Sequence, residues 1–528
     1  MIKKFEYKGK WWLPDKSEEQ ISGTLKYSPV NGAILDLIES FKKNRDINLL
    51  LQPDIILGNS SDGEEITLHK CFETSFNISS RGFTSSSFYA NIVIIGQHFP
   101  KPKDIKFRNL SVNYQYFEEW SKIGVFSYHR NHGETFKKYE VKYEAPEPVE
   151  AKIDNFKISF AHNFNVSGDW LREVNLKRTT FIKIEPEHEL HFEEYQNILY
   201  HLQNFLSLAT MRAIYPLSIK ATTEQNKIIS PFSNGKLHYP SIDIFYNVMG
   251  KEDLSKKLTH YDMLFTFEDI SGQFETYIQN WFGKADKLKP VYDLFFGTLY
   301  NPSMYLEQKF LSLVQAIETY HRRTMKNFEL SEEKHEKRIK EILDTAPEMY
   351  KNWLRWKLKY TNEPPLKQRI KDILEAYSEV LDGFISDKKS FVDKTVDTRN
   401  YLTHYPLMHL FSMDIKLEED LNKGILPKEI KRGLEIKDFF LSDNVTVMKE
   451  KEDKWWITDE KMKNFIVRKE DEKLKIYKLK EQPIKEEELY PLTQKLKIIL
   501  EVCLLRELDF SLDTIKSSIL RNRRFQYG

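Results

Sequence analysis

The run Arg399-Asn400-Tyr401-Leu402-Thr403-His404 holds the residue types in this chain best suited to chemistry on a phosphodiester. A guanidinium is permanently charged and can hold a phosphate together with the negative charge that grows on it. An imidazole exchanges protons near neutral pH. Those two groups suffice to break RNA without a metal, because the ribose 2′-hydroxyl is already present as the nucleophile. An arginine and a histidine four to six residues apart arise by chance about once in a chain with this histidine frequency. The surrounding elements must therefore decide. On a helix the five-residue step from Arg399 to His404 turns through about 140°, so the two do not share one face. Two such helices meeting about a twofold axis would bring both residue types into one groove, which predicts a homodimer or a higher homo-oligomer.

Further candidates lie upstream. Gln315, Glu318 and His321 stand at i, i+3 and i+6 beside an apolar stripe that ends at Tyr320. Glu318 could bond Arg399 or orient His404 across a helix pair, or it could pair with Arg322 at i+4. His321 would then sit at the edge of the site. Lys351, Arg355, Lys357, Lys359, Lys367, Arg369 and Lys371 form a basic stretch with Trp353 and Trp356 interleaved. Phosphate contacts and base stacking use that composition. Trp353 and Trp356 read more readily as core residues on one helix face, and the basic residues remain RNA-binding candidates.

Metal and nucleotide chemistry find little support. His188-Glu189-Leu190-His191 sits at a strand-to-helix junction without the zincin pattern, and His129-Arg130-Asn131-His132 reads as a polar loop. The Gly-rich loops of P-loop and dinucleotide-binding proteins are absent, which argues against a nucleotide-driven motor. Neither a metal nor a cofactor is expected.

Composition narrows the class. At 528 residues the chain is long enough for several domains, and 13% aromatic content argues against disorder. Lys+Arg 80 against Asp+Glu 79 leaves a formal charge of +1, so RNA contact must come from local patches rather than from the chain as a whole. Cys71 and Cys503 stand far apart, which fits a reducing compartment and excludes a disulfide framework. Neither a signal-type h-region nor a long apolar span is found, so a soluble, cytoplasmic protein without membrane contact is expected.

The pattern predicts an α+β protein. Residues 1–225 read as a β-rich domain: short strands at Thr24–Tyr27, Ala33–Ile38, Ile47–Leu51, Ile66–Leu68 and Phe88–Ile95 alternate with turn clusters such as Asn31-Gly32. Helical spacing follows over Phe192–Arg212. Residues 226–261 read as a connector rich in proline and glycine. From residue 262 to 412 the period is helical. Leu306, Phe310, Leu313, Ile317 and Tyr320 mark the strongest helix, and Pro406 ends or interrupts the one that carries Arg399 and His404. Residues 413–487 are charge-dense and read as a solvated insertion of two short β-hairpins. Residues 488–528 return to a final helix and tail.

The chain resembles the ApeA-like family of bacterial anti-phage defence proteins. The N-terminal run Phe5-Glu6-Tyr7-Lys8-Gly9-Lys10-Trp11-Trp12-Leu13-Pro14, then Ser22-Gly23-Thr24-Leu25, and Leu57-Gly58 through Asp62-Gly63-Glu64-Glu65-Ile66-Thr67-Leu68 are similar to the ApeA N-terminal domain. Phe310–Glu318 and Arg399–His404 resemble the two landmark helices of an ApeA-like HEPN domain, and Leu504–Leu508 resembles its final helix. The resemblance implies a HEPN endoribonuclease working by abortive infection, in which host or phage RNA, tRNA among the candidates, is cut once a phage is sensed. It places Arg399, Asn400 and His404 at the catalytic site, works through paired HEPN domains, and leaves the N-terminal domain to receive a phage-derived trigger. Two alternatives stay open: a non-catalytic RNA-binding or phage-sensing scaffold, and the toxin of a toxin-antitoxin pair.

Overall fold

The computed structural model describes residues 4–42, 50–77, 84–130, 139–229, 237–247, 257–404, 407–437, 441, 444–459, 464–470, 472–479 and 483–525. The chain divides into two units, residues 1–302 with 501–528, and residues 303–500. It is β-rich over its N-terminal part and largely helical from Phe267 to His404, so the expected α+β class holds.

The first unit is built on a 12-stranded antiparallel sheet. Strand Ser85–Ile95 pairs with Gly32–Leu37 along one edge and with Glu65–Asn77 along the other. The strands between them, Ile21–Ser28, Phe5–Trp12 and Ile55–Ser60, complete a closed barrel. Closure removes the free edges that an open sheet would expose. Trp11, Leu25, Leu35, Ile56, Ile66, Leu68, Phe88 and Val93 fill its interior. A Cβ on Gly58 would lie 2.2 Å from the Trp11 ring, so only glycine fits in that strand beside the indole. The expected Asn31-Gly32 turn is present, with Gly32 in the left-handed region at φ 71°. Of the expected strands, 47–51 lies largely outside the described residues, as do Asn131 and His132 of the second histidine run.

Two domain boundaries differ from expectation. Residues 226–261 do more than connect, because Ile242–Tyr246 is an interior strand between Pro216–Thr222 and Ser85–Ile95. Its buried Ile242, Ile244 and Phe245 were obscured by the prolines and glycine around them. The helices expected to open the second domain belong instead to the first unit. Helix α1 (Phe192–Thr210) is joined there by α2 (Phe274–Gly283) and α3 (Ala285–Tyr300). Trp281 of α2 stacks on Tyr292 of α3 at 4.5 Å and donates its Nε1–H to the His201 carbonyl of α1 at 2.8 Å. A helical period says nothing about which core a helix joins.

In the second unit, α4 (Leu306–Thr324), α5 (Glu332–Thr345), α6 (Glu348–Leu358), α7 (Leu366–Ala376) and α8 (Lys388–His404) follow in order. Helices α4, α7 and α8 pack against one another. From α4, Phe310, Leu313, Ile317 and Tyr320 are buried, as are Ile370, Ile373 and Leu374 of α7. Each such large apolar side chain contributes roughly 1.5–3 kcal/mol when fully buried. Helix α8 presents Phe391, Thr395, Thr398 and Leu402 at i, i+4, i+7 and i+11 as its buried stripe.

The segment after α8 corrects the expectation of two separate hairpins beginning at residue 413. It begins at strand Leu407–Asp414, which pairs with Lys473–Leu479. Asn464–Glu470, Lys454–Asp459 and Val445–Lys451 extend this into a five-stranded antiparallel sheet. Trp455, Ile457, Phe465, Val467, Leu474 and Ile476 form a core beneath it with Leu421, Ile430 and Leu434. This is a packed subdomain, and along Lys473–Leu479 the charged Lys473 and Lys475 alternate with the core residues Leu474 and Ile476. Helix α9 (Glu486–Glu507) follows, and the stretch expected as a tail carries one more helix, Leu512–Arg521.

Candidate active site

Arg399, Asn400 and His404 lie in the last turns of α8, and the helix ends at His404; residues 405–406 fall outside the described residues. The buried stripe fixes their placement. Leu402 is tucked inward at 7% exposure, whereas Arg399 sits half-buried at the border of the stripe and Asn400 and His404 are exposed. Thr403 returns its hydroxyl to the Arg399 carbonyl at 2.7 Å. The Arg399 Nη1–H donates to Asn400 Oδ1 at 3.1 Å, so the asparagine holds the guanidinium at the helix surface.

Glu318 takes the second of its two anticipated partners. Arg322 Nη2 donates to its carboxylate at 3.4 Å, and among the described residues no hydrogen bond or ion pair joins it to Arg399 or His404. Arg322 continues to Glu363 at 3.1 Å, which also receives Arg369 at 2.9 Å.

His321, expected at the edge of the site, is fully buried within that network. Its Nε2–H donates to Asp372 at 2.8 Å, while Arg369 Nη1–H donates to its Nδ1 at 3.2 Å. A guanidinium only donates, so Nδ1 must carry a lone pair and the ring is neutral. Burial, aided by the Arg369 charge, holds the His321 pKa below the ordinary histidine value against the opposing pull of Asp372. A ring with both nitrogens committed serves to lock α4 to α7.

The basic stretch divides. Arg369 is removed from the RNA-binding candidates: it is 1% exposed and spends its donors on Asn327, Glu363 and His321. A helical stripe of Arg369, Ile370, Ile373 and Leu374 carries it inward. Lys367 and Lys371, with Lys388 and Lys389 from the start of α8, line a groove of about 460 Å³ that Leu374 and Glu375 complete. Lys367 bonds Asp393 at 2.6 Å, and Lys367, then Lys389 and Lys371, hold that carboxyl below the usual carboxylate range. Lys388 and Lys389 escaped the sequence reading, although a lysine pair opening the motif helix was a visible signal. Lys351, Arg355, Lys357 and Lys359 belong to α6 and its C-terminal end. Trp353 and Trp356 overturn the core expectation, at 58% and 77% exposure.

Among the described residues, no three His, Cys, Asp or Glu side chains gather as a metal cluster, and no helix is long and apolar enough to cross a membrane. His191 instead caps α1, its backbone N–H donating to Glu194 at 2.9 Å. Cys71 and Cys503 are both buried.

Comparison with known families places both ends of this description. Residues 6–281 match the family model of ApeA N-terminal domain 1, and residues 311–409 match that of Apea-like HEPN. Curated proteins and solved structures yield no match.

Proposed function

The chain belongs to the ApeA family, and from that premise we propose that it is a HEPN-type endoribonuclease acting in anti-phage defence. The observation that carries this reading is the placement of Arg399, Asn400 and His404. They lie in the last turns of α8, with Asn400 and His404 exposed and Arg399 half-buried at the border of the buried stripe.

The chemistry follows from those groups. The ribose 2′-oxygen attacks the adjacent phosphorus, forming one P–O bond as the bond to the 5′-oxygen breaks. His404 takes the 2′-hydroxyl proton as general base and, once protonated, gives a proton to the leaving 5′-oxygen as general acid. Arg399 holds the phosphate and the additional negative charge of the phosphorane. Asn400 keeps the guanidinium turned toward solvent. Since Arg399 and His404 diverge by about 140° around one helix, the working groove combines two copies of α8, with the Arg399 of one copy beside the His404 of the other. The lysines of the α7–α8 groove add phosphate contacts. In the cell, RNA cleavage triggered through the N-terminal domain would halt phage growth by stopping translation.

The test is RNA cleavage by purified protein with and without EDTA, followed by analysis of the new ends. The reading expects activity in the chelator and 2′,3′-cyclic phosphate termini. Activity lost in EDTA and restored by magnesium would refute it.

A further inference from the structure

Helix α6 buries none of its residues, although it carries some of the largest apolar side chains in the chain. Met349, Trp353 and Trp356 recur at i, i+4 and i+7, and they are 78%, 58% and 77% exposed. Leu354 and Leu358, on the opposite side of the helix, are the partly covered apolar residues. Tyr360, just past the helix end, is also exposed and lies under the Lys359 ammonium at 5.1 Å. An 11-residue helix that turns its aromatic side outward withholds exactly the surface that folding would normally bury.

We infer that this ridge is an accessory stacking site for single-stranded RNA, separate from the Arg399–His404 end of α8. The inference rests on the RNase reading for its choice of polymer. Three features select the occupant. Lys357 and Lys359 flank the ridge, Arg355 lies further round the helix, and Glu348, the one acid of the helix, is paired with Lys351 at 2.8 Å. That sign suits a polyanion and opposes a second copy of the same ridge, which would bring like charges together. Trp353 and Trp356 rise about 4.5 Å apart along the axis, a separation at which flat rings stack in succession. Unpaired bases offer such faces, whereas a duplex keeps them covered. Finally, the lysine-lined groove of α7 and α8 lies in the same unit. A flexible strand can enter a groove and lie along a ridge, which a membrane surface cannot.

Binding is measured on the full-length His404→Ala protein, so that cleavage plays no part in the readout. The probes are a labelled unstructured 15-nucleotide RNA and a blunt duplex of the same length. Adding Trp353→Ala and Trp356→Ala should weaken single-strand binding about tenfold or more and leave duplex binding unchanged. Phenylalanine at both positions should recover most of the loss, and equal melting temperatures confirm the fold. Undiminished single-strand binding by the alanine pair would overturn the inference. So would a protein that ignores RNA and binds phosphatidylglycerol vesicles through the same tryptophans, or one that loses its oligomeric state when they are replaced. A wild type that fails to cut RNA while its tryptophans still govern binding sinks the RNase reading alone.

Discussion

Arg369 Nη1 stands 3.2 Å from His321 Nδ1, and that approach fixes the histidine as a neutral ring donating from Nε2 to Asp372. The consequence is a pH dependence of stability. His321 has its pKa lowered in the folded state, chiefly by burial, as do His201 and His162 in the first unit. Below the ordinary histidine value the unfolded chain takes up protons that the folded chain refuses. Their contribution is therefore complete above that value and is lost as pH falls toward the lowered folded one. The guanidinium unfolding midpoint should drop between pH 7.5 and pH 5.5. His321→Gln, which can still accept from Arg369 and donate to Asp372, should narrow the drop seen in unfolding of the second unit. An identical drop in the variant would contradict the linkage.

Truncation of the same residue separates structure from catalysis. His321→Ala leaves Arg369 and Asp372 without their shared partner, a loss of about 1–3 kcal/mol for buried polar groups. His404→Ala and Arg399→Ala remove side chains from the helix surface and should leave the melting temperature within a degree or two. Their RNA cleavage should fall by about 10²–10⁴-fold. Glu318→Ala, whose partner is Arg322, should change the rate far less. Thermal unfolding and cleavage measured on one preparation of each variant make the comparison. A stable His404→Ala enzyme cutting at the wild-type rate would remove the motif from the mechanism.

The sequence disclosed periodicity and motif, and it was silent about what each element packs against. The Phe310–Tyr320 stripe and the Arg399–His404 run both led to helices of the second unit that carry the candidate residues, because apolar spacing and charged exceptions are local signals. Arg369 and the tryptophans of α6 reversed roles for the opposite reason. An arginine is buried only where Glu363, Asn327 and His321 converge on it, and a tryptophan is exposed only where no neighbour covers it. Both conditions depend on residues distant in sequence. The strand Ile242–Tyr246 was hidden in the same way, since its pairing partners lie on strands from other parts of the chain.

The subdomain that follows α8 shows how far the charge-dense reading went astray, and it can be tested at one side chain. Trp455 is fully buried and donates its Nε1–H to Asn422 at 3.2 Å, joining the sheet to the helix Glu418–Asn422. Trp455→Ala should cost about 3–5 kcal/mol, concentrated in this subdomain because its core is its own. Limited proteolysis read by mass spectrometry should show new cleavage between residues 407 and 485 with the flanking helices intact. Unchanged protection there would mean that the sheet is not held by this core.

The pairing of two α8 helices can be tested by complementation. Arg399→Ala and His404→Ala are each expected to be inactive, and neither carries both groups. If the groove draws an arginine from one copy and a histidine from the other, a mixed dimer regains one intact combination of its two. Random reassortment makes half of the dimers mixed, so an equimolar refolded mixture should recover about a quarter of wild-type activity. Light scattering on the same sample establishes that the species is at least dimeric at the assay concentration. A site complete within one chain makes the contrary forecast: the mixture stays as inactive as its components, and dilution to monomer leaves wild-type activity untouched. Recovery on mixing would show directly that the 140° divergence of Arg399 and His404 is resolved between chains.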